Sequence, residues 1–156
     1  SAAVQAAVTG SPVGSYLAII GAMLSLAIAL APIAMAAGLA TMEIISEPGF
    51  YEPLFAHTKA LCDGMQAAAD KAGVPFTTNH AGTMFGGFFT GDASVSNYTQ
   101  VMNCDTAAFN RFFHHMLELG VYLAPASYEA GFMSSAHGEG DIAQTVAAAR
   151  LAFASL

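Results

Sequence analysis

The first 42 residues carry no charged side chain, and this absence limits what the chain can fold into. All 11 acidic residues and all 4 lysine and arginine residues lie from Glu43 onward. A helix of about 20 residues, such as 12–31, would be about 30 Å long, which matches the hydrocarbon core of a bilayer. Because a helix that is apolar on every face must be covered, this segment is predicted either to span a membrane or to lie buried in protein.

Within this segment the sequence predicts an irregular lead-in and two helices. Residues 1–14 are small and contain helix breakers, so they favour no regular element. The first helix is expected to begin at Tyr16 and to end at Ala31, because Pro32 has no backbone N–H to continue it. Proline fits the first position of a new helix, which predicts a second helix over residues 32–45.

Residues 1–45 are therefore predicted to be one apolar unit, uncharged up to Met42, and residues 46–156 a separate domain. Glu43 is the one charged residue of the first part, and the second part carries the other −6 of the net charge of −7. Binding to nucleic acid or to anionic lipid headgroups is not expected, because the few cations are too widely spaced to form a basic patch. These cations are Lys59, Lys71, Arg111 and Arg150.

Residues 46–156 contain three predicted helices of ordinary length. An amphipathic pattern over residues 51–72 places four apolar side chains on one face and is followed by Gly73, a typical stop. Asp105 is a predicted N-cap for a helix over residues 106–119. A third helix is predicted over residues 141–154. The inward faces are expected to consist of Leu54, Leu61, Met65 and Ala68 in the first helix, and of Ile142, Val146 and Ala149 in the third.

Short apolar runs between these helices predict strands. Residues 74–78 and 83–89 read as two strands joined by a turn, and two further short strands are predicted at 121–123 and 131–133. A single helical turn is expected within residues 91–103. Alternating helices and strands predict a small α/β or α+β layer domain.

Neither the cysteines nor the histidines form a pattern that indicates a metal site. Two free thiols are favoured for Cys62 and Cys104, although their spacing also permits a disulfide. His114 and His115 are adjacent on a helix, so their side chains diverge by about 100°. His57, His80 and His137 are isolated in the sequence, so no metal is expected. Core packing is the expected role of the two aromatic runs, which are Met84–Phe89 and the set Phe109, Phe112 and Phe113.

From Pro32 onward the sequence resembles the C-terminal part of glutamate-1-semialdehyde 2,1-aminomutase, a pyridoxal phosphate (PLP) enzyme of tetrapyrrole biosynthesis. The resemblance rests on three stretches: PIAMAAGLATMEIISEPGFYE, AGVPFTTNHAGTMFGGFFT and DTAAFNRFFHHMLELGVYLAPASYEAGFMSSAH. It covers roughly four-fifths of the chain. It implies the small C-terminal domain of a fold-type-I PLP enzyme, preceded by one long apolar helix that is a candidate transmembrane span.

The same resemblance implies that PLP chemistry is lost from this chain. The SPVG motif at 11–14 resembles the loop after the lysine of the family, and counting back from Pro12 places the lysine position on Gln5. Glutamine cannot form a Schiff base. Aligned on Pro32, the threonine that reaches the cofactor phosphate falls on Ala27. No catalytic, cofactor-binding or metal-binding residue is therefore predicted, and no cofactor is expected for this chain alone.

One residue of the family's site has a clear match. Glu129 in SYEAGF corresponds to the glutamate that borders the substrate entrance of the family. Its arginine partner in the family belongs to an N-terminal part that this sequence does not contain. The expected role of Glu129 here is that of a solvated or capping carboxylate.

Two functions of different classes follow. In the first, the chain is a non-catalytic subunit of a plastid thylakoid complex, anchored by its apolar helix, with the helices of other subunits packing on the stretch from Tyr16 to Ala31. In the second, it is a fragment or divergent form of the aminomutase, with PLP as cofactor, in the plastid stroma or a bacterial cytoplasm. A homodimer, as in the family, is a further expectation, and no nucleic acid partner is expected.

Overall fold

A computed structural model describes residues 12–156, with side-chain burial described from Ser15 onward except at Leu17, Ala27 and Ala29. The chain divides into two compact units between Phe50 and Tyr51. The predicted position of the lost lysine, Gln5, lies outside the described residues.

The described part of the first unit is one helix, α1, which runs from Pro12 to Ile45. The predicted break at Pro32 is wrong, because the helix continues through it. A proline removes one hydrogen bond of about thirty in a helix of this length, and the alanine-, leucine- and methionine-rich flanks favour helix strongly. The helix also begins inside the predicted lead-in.

No described side chain of α1 is buried within the chain, and only Ile45 is even partly covered. Ile33, for example, is 66% exposed. Two hydroxyl groups within the apolar stretch bond inside the helix: Ser25 Oγ donates to the carbonyl of Gly21, and Thr41 Oγ1 to that of Ala37, both at 2.8 Å. As far as Met42, the residue before Glu43, α1 therefore presents no charged side chain and a mostly apolar surface.

The second unit contains four helices: α2 (Tyr51–Ala72), α3 (Tyr98–Met102), α4 (Thr106–Glu118) and α5 (Glu139–Ala154). The predicted inward faces of α2 and α5 are buried, as the amphipathic pattern indicated. Asp105 caps α4 by accepting a hydrogen bond from the N–H of Ala108 at 2.9 Å, as predicted. Helix α3 is the single turn expected in the polar loop.

Three antiparallel strands form one sheet in the order β1-β2-β3, namely Thr77–Ala81, Met84–Phe88 and Gly131–Phe132. The hairpin was predicted, but its turn lies at residues 82–83, where Gly82 has a φ of +61°. The strand predicted at 121–123 is wrong, because that segment pairs with no strand and the N–H of Val121 donates back to the carbonyl of Met116 in α4 at 2.9 Å. Because the strands run antiparallel, the domain is α+β rather than α/β.

Four phenylalanines fill the centre of the second unit. Phe76 and Phe89 flank the hairpin, while Phe112 comes from α4 and Phe153 from α5. The ring centroids of Phe112 and Phe153 are 4.4 Å apart, and those of Phe76 and Phe153 are 4.9 Å apart. Since all four rings are buried and in mutual contact, this cluster joins the hairpin to both helices.

The side chain of Gln66 fixes the hairpin to α2. Its Nε2 donates to the carbonyl of Phe76 at 2.7 Å, and its Oε1 accepts from the N–H of Thr78 at 3.2 Å. These bonds satisfy backbone groups on either side of the first residue of β1. The contact therefore helps to hold the β1–β2 hairpin, which lines two cavities, in place on α2.

Candidate functional site

A cavity of about 370 Å³ opens in the second unit between the sheet, the helices and the loop before β3. Its walls are mostly apolar, which is typical of sites for small molecules. Polar side chains occur at only a few places on its lining. The apolar lining includes Leu61, Met65, Phe76, Phe85, Phe89, Phe109, Phe112, Val121, Leu123, Phe132, Met133 and Ile142, and the polar lining consists of Tyr122, Glu129, His137, Asp141 and Thr145.

Three of these polar side chains already have structural partners. His137 Nδ1 accepts a hydrogen bond from the N–H of Ser134 at 3.0 Å. Asp141 Oδ2 accepts from the N–H of Gly138 at 2.8 Å, and Thr145 Oγ1 donates to the carbonyl of Asp141 at 2.7 Å. Both of these hydrogen bonds lie in the first turns of α5, so the side chains of Asp141 and Thr145 stabilise the start of that helix.

Glu129, the residue that matched the family, differs from these three. Within the described chain its carboxylate has no hydrogen bond and no ion pair, and it is exposed. Its backbone N–H donates to the carbonyl of Ala126 at 3.0 Å. Its carboxylate caps no backbone group in the described chain, so of the two expected roles the solvated carboxylate is the one that agrees with this geometry.

The position of Glu129 depends on Gly131, two residues further along the chain, because Gly131 anchors the segment to the sheet. Gly131 pairs with Phe85 across the β2–β3 ladder. A Cβ on Gly131 would lie 2.3 Å from the ring of Phe85, so only glycine allows this ring to cover the strand. Phe85 therefore packs onto β3 and forms part of the wall beside Glu129.

A second cavity, of about 470 Å³, lies on the other side of Phe85 and shares Glu129 with the first. Aromatic rings from α3, β2 and the loop before β3 form its walls, and the ring centroids of Tyr98 and Tyr128 are 6.4 Å apart. The side chain of Asn79, also on the lining, donates to the carbonyl of Val95. The remaining lining includes His80, Met84, Phe88 and Val101.

The residues around these cavities do not fit covalently bound PLP. That cofactor needs a lysine for its aldimine, an acid for its ring nitrogen and donors for its phosphate. All lysines and arginines of the chain lie in the described part, and none lines either cavity. Lys59 pairs instead with Asp63 at 2.5 Å on the exposed face of α2. The family's phosphate-binding threonine is predicted to be replaced by Ala27. The structure places this position in α1 and describes nothing further of it.

The other sequence candidates are scattered. His114 is exposed and His115 is half-buried, with its Nδ1 3.8 Å from Glu118 Oε2. Over residues 12–156, no group of three His, Cys, Asp or Glu side chains could hold a metal ion. Cys62 and Cys104 are both free, and burial raises the pKa of each thiol.

Sequence reasoning missed most of the cavity. His137, Asp141 and Thr145 reach it from the start of α5, and Tyr122 reaches it from the loop after α4. Their separations along the chain match no motif, because packing alone brings them together. The aromatic runs and EAGF were the only local signals for this region.

Comparison with known proteins points to one class of fold. No protein-family profile matches the sequence. Among solved structures, an omega-transaminase from Sphaerobacter thermophilus is similar with a TM-score of 0.64 and 23% identity, over 78% of this chain and 27% of that one. A transaminase with PLP bound gives a TM-score of 0.63 and 21% identity, over 80% and 27% of the two chains.

A third structure is the FumI protein of Sphingopyxis sp. MTA144 in its PLP internal aldimine form, with a TM-score of 0.62 and 28% identity, over 78% and 26% of the chains. The chain thus has the mixed helix and sheet fold of a small domain of PLP-dependent transaminases of fold type I. It spans about a quarter of the length of these structures. Since the second unit makes up about two-thirds of the chain, each match also includes part of the chain before Tyr51.

Proposed function

We propose that the unit Tyr51–Leu156 serves as the small domain of a transaminase-like protein, and that this chain by itself carries out no PLP chemistry. The observation that supports the first part is the structural similarity to PLP-dependent transaminases over more than three-quarters of the chain. The second part is supported by cavities that no lysine or arginine lines. PLP would then be held by residues outside this chain.

In this proposal the first cavity is the substrate-side wall of a larger site. Its apolar lining excludes water, and Glu129 offers a carboxylate without a partner in the described chain. A cation on a facing domain would complete the pair, as the aminomutase resemblance implies for its arginine. The substrate class that this resemblance favours is an amino aldehyde of the glutamate-1-semialdehyde type.

The absence of PLP chemistry is tested by titrating the full chain with PLP. We expect no stoichiometric internal-aldimine absorbance band, and only the weak, reversible band that free N-acetyl-lysine gives, arising from the exposed Lys59 and Lys71. Replacing both by arginine is expected to reduce this weak band to the contribution of the α-amino group. Borohydride trapping of one PLP per chain at a single lysine, at a PLP concentration where N-acetyl-lysine does not react, would contradict the proposal.

The aminomutase assignment is tested with a fusion. The unit Tyr51–Leu156 replaces the small domain of an active glutamate-1-semialdehyde aminomutase, and a matched fusion carries the small domain of the Sphaerobacter transaminase. We expect the first fusion to form 5-aminolevulinate faster than the second. A fusion that binds PLP normally but forms no 5-aminolevulinate would exclude the aminomutase while leaving the fold assignment intact.

A second function is favoured by α1. Within residues 18–45 the most apolar stretch of 18 residues has a mean hydropathy of 2.3, and none of its described residues is buried. By length and composition this helix is therefore able to cross a membrane. We therefore also propose a non-catalytic subunit anchored in a membrane complex, with a plastid thylakoid as its setting and other subunits as its partners. Location in the plastid stroma or a bacterial cytoplasm belongs to the first function.

Carbonate extraction of native membranes distinguishes the two. An anchored chain stays in the pellet, and release into the supernatant would argue against a span. Leu26→Arg places a charge near the middle of α1, at a cost to insertion of about 3 kcal/mol, and is expected to increase release. Leu151→Arg is the matched control, because Leu151 is as exposed as Leu26 but belongs to α5.

A further inference from the structure

The second cavity has aromatic walls that neither proposed function explains, although it shares Glu129 with the first cavity. Its walls are aromatic, and the tyrosines among them are strongly exposed: Tyr98 by 70% and Tyr128 by 51%. Exposed aromatic rings that cluster in a groove are typical of sites that bind a ligand or a partner. Their centroids lie 6.4 Å apart with the ring planes inclined by 49°, so together they form one angled wall.

The charge on this cavity is of a single sign. Glu129 is the only acidic side chain on the lining, and no lysine or arginine lies there. Within the described chain its carboxylate forms neither a hydrogen bond nor an ion pair. The amide of Asn79 is already bonded to the backbone of Val95, so the unpaired carboxylate dominates the polar character of the cavity.

The size of the cavity suits a small molecule. About 470 Å³ falls in the usual range of ligand pockets, which is about 300–1,000 Å³. Faces of tyrosine and phenylalanine attract cations through the ring quadrupole, and quaternary ammonium groups are bound in this way by aromatic walls. An organic cation satisfies both features at once, because its alkyl part covers the rings and its charge meets Glu129.

We propose that the second cavity binds a small organic ammonium ion, with Glu129 as its counter-ion and Tyr98 and Tyr128 as its aromatic wall. An anionic ligand is disfavoured by Glu129 and by the net charge of −7. A neutral apolar ligand would leave the carboxylate beside it unpaired. No bond is made or broken in this step, so the site is one of recognition.

The test uses the full chain and choline as the probe, with 3,3-dimethylbutan-1-ol as the uncharged analogue of the same shape. If α1 requires a detergent, a maltoside is used, since a phosphocholine headgroup would compete for the site. Binding is followed by isothermal titration calorimetry at about pH 8, where imidazole groups in general are neutral. We expect choline to bind at least tenfold more tightly than its uncharged analogue.

Three variants locate the site. Glu129→Gln is expected to weaken choline binding about tenfold or more while leaving the uncharged analogue unaffected. Tyr98→Leu and Tyr128→Leu are each expected to weaken it about threefold, the effect of losing one exposed cation–aromatic contact. Matched controls are Glu118→Gln, which changes the net charge equally, and Tyr122→Leu, an exposed tyrosine that lines only the first cavity.

Equal affinity for choline and its analogue, or an unchanged affinity in Glu129→Gln, would overturn the proposal. So would the absence of binding at millimolar choline. Far-UV circular dichroism confirms that each variant folds, and Glu129→Gln, at an exposed position, keeps the test decisive if a tyrosine variant does not fold. None of these outcomes bears on PLP binding or membrane retention, so the two proposed functions are tested separately.

Discussion

Cys62 is the residue whose ionisation is most strongly coupled to folding among those described. Its side chain is 2% exposed, on the inner face of α2. Burial raises the pKa of the thiol to about 11, and the neighbouring Asp63 carboxylate adds to this, while Lys59 opposes it. The native state therefore favours the neutral thiol, which is poorly reactive at neutral pH.

This pKa predicts a loss of stability in alkaline solution. Because the thiol titrates at about 9 when unfolded and about 11 when folded, the folded state binds its proton more tightly. Its contribution is complete below pH 9 and is lost as the pH rises through 11, by about 3 kcal/mol. We expect urea unfolding under reducing conditions to show this extra alkaline loss in the wild type and not in Cys62→Ala.

Other side chains also titrate between about pH 9 and 11, so the test is the difference between the wild type and the cysteine variants. Cys104→Ala is the control, since Cys104 is only half-buried and the pKa of its thiol is raised less strongly. It is expected to keep most of the alkaline loss. Identical pH profiles for the wild type and Cys62→Ala would show that this thiol is not coupled to folding.

At the scale of elements, the contact between α2 and α5 depends on one glycine. A Cβ on Gly64 would lie 2.5 Å from Cγ2 of Val146 and 3.0 Å from its Cγ1. Val146 is buried on α5, so a Cβ at position 64 would force the Val146 side chain or its helix to shift. The absence of a side chain at position 64 therefore sets how closely the two helices approach.

Gly64→Ala is expected to lower the free energy of unfolding by about 1–2 kcal/mol. Overpacking costs about 1–3 kcal/mol, and the better helix propensity of alanine offsets up to about 1 kcal/mol of that. Gly140→Ala is the matched control, because a Cβ there meets nothing within 4 Å and the change should be neutral or stabilising. Adding Val146→Ala to Gly64→Ala should recover part of the loss, and strict additivity would contradict the proposed clash.

The elements were largely predictable because their signals are local. The amphipathic period of α2, the Asp105 cap and the Gly73 stop, with φ of +70°, are each encoded within a few residues. The strand predicted at 121–123 failed because an apolar run forms a strand only where a neighbouring edge is free to pair. The break at Pro32 failed because one lost hydrogen bond was outweighed by the helix-forming residues on both sides.

The cavities were much less predictable than the elements. Glu129 was found only through its resemblance to a family, and its position depends on Gly131, whose lack of a Cβ admits the ring of Phe85. Such a contact joins residues about 45 positions apart and leaves no periodic signal in the sequence. The second cavity combines β1, β2, α3 and the loop before β3, so it exists only once the sheet has formed.

At the scale of the whole molecule, the apolar surface of α1 needs a cover, and the first proposed function needs residues that line neither cavity. The structural relatives are about three times as long as this chain. In the first proposed function, residues outside the chain would provide the lysine and the phosphate donors. The outer surface of α1 requires lipid or protein to cover it. Whether its first half contacts lipid alone or the helices of partner subunits can be decided with one pair of variants.

Gly21→Leu is expected to release the protein from a larger membrane complex without releasing it from the membrane. A Cβ on Gly21 meets nothing within 4 Å, so the change is accepted by α1 itself, and it adds apolar surface. It nevertheless prevents the close helix approach that small residues allow in membranes. Gly38→Leu is the matched control, since position 38 is equally open but lies outside the stretch from Tyr16 to Ala31.

Native gel electrophoresis after mild solubilisation gives the size of the complex, and carbonate extraction gives membrane retention. If Gly21→Leu and Gly38→Leu leave the complex equally intact, the first half of α1 contacts lipid, and the expected packing of partner helices on it is wrong.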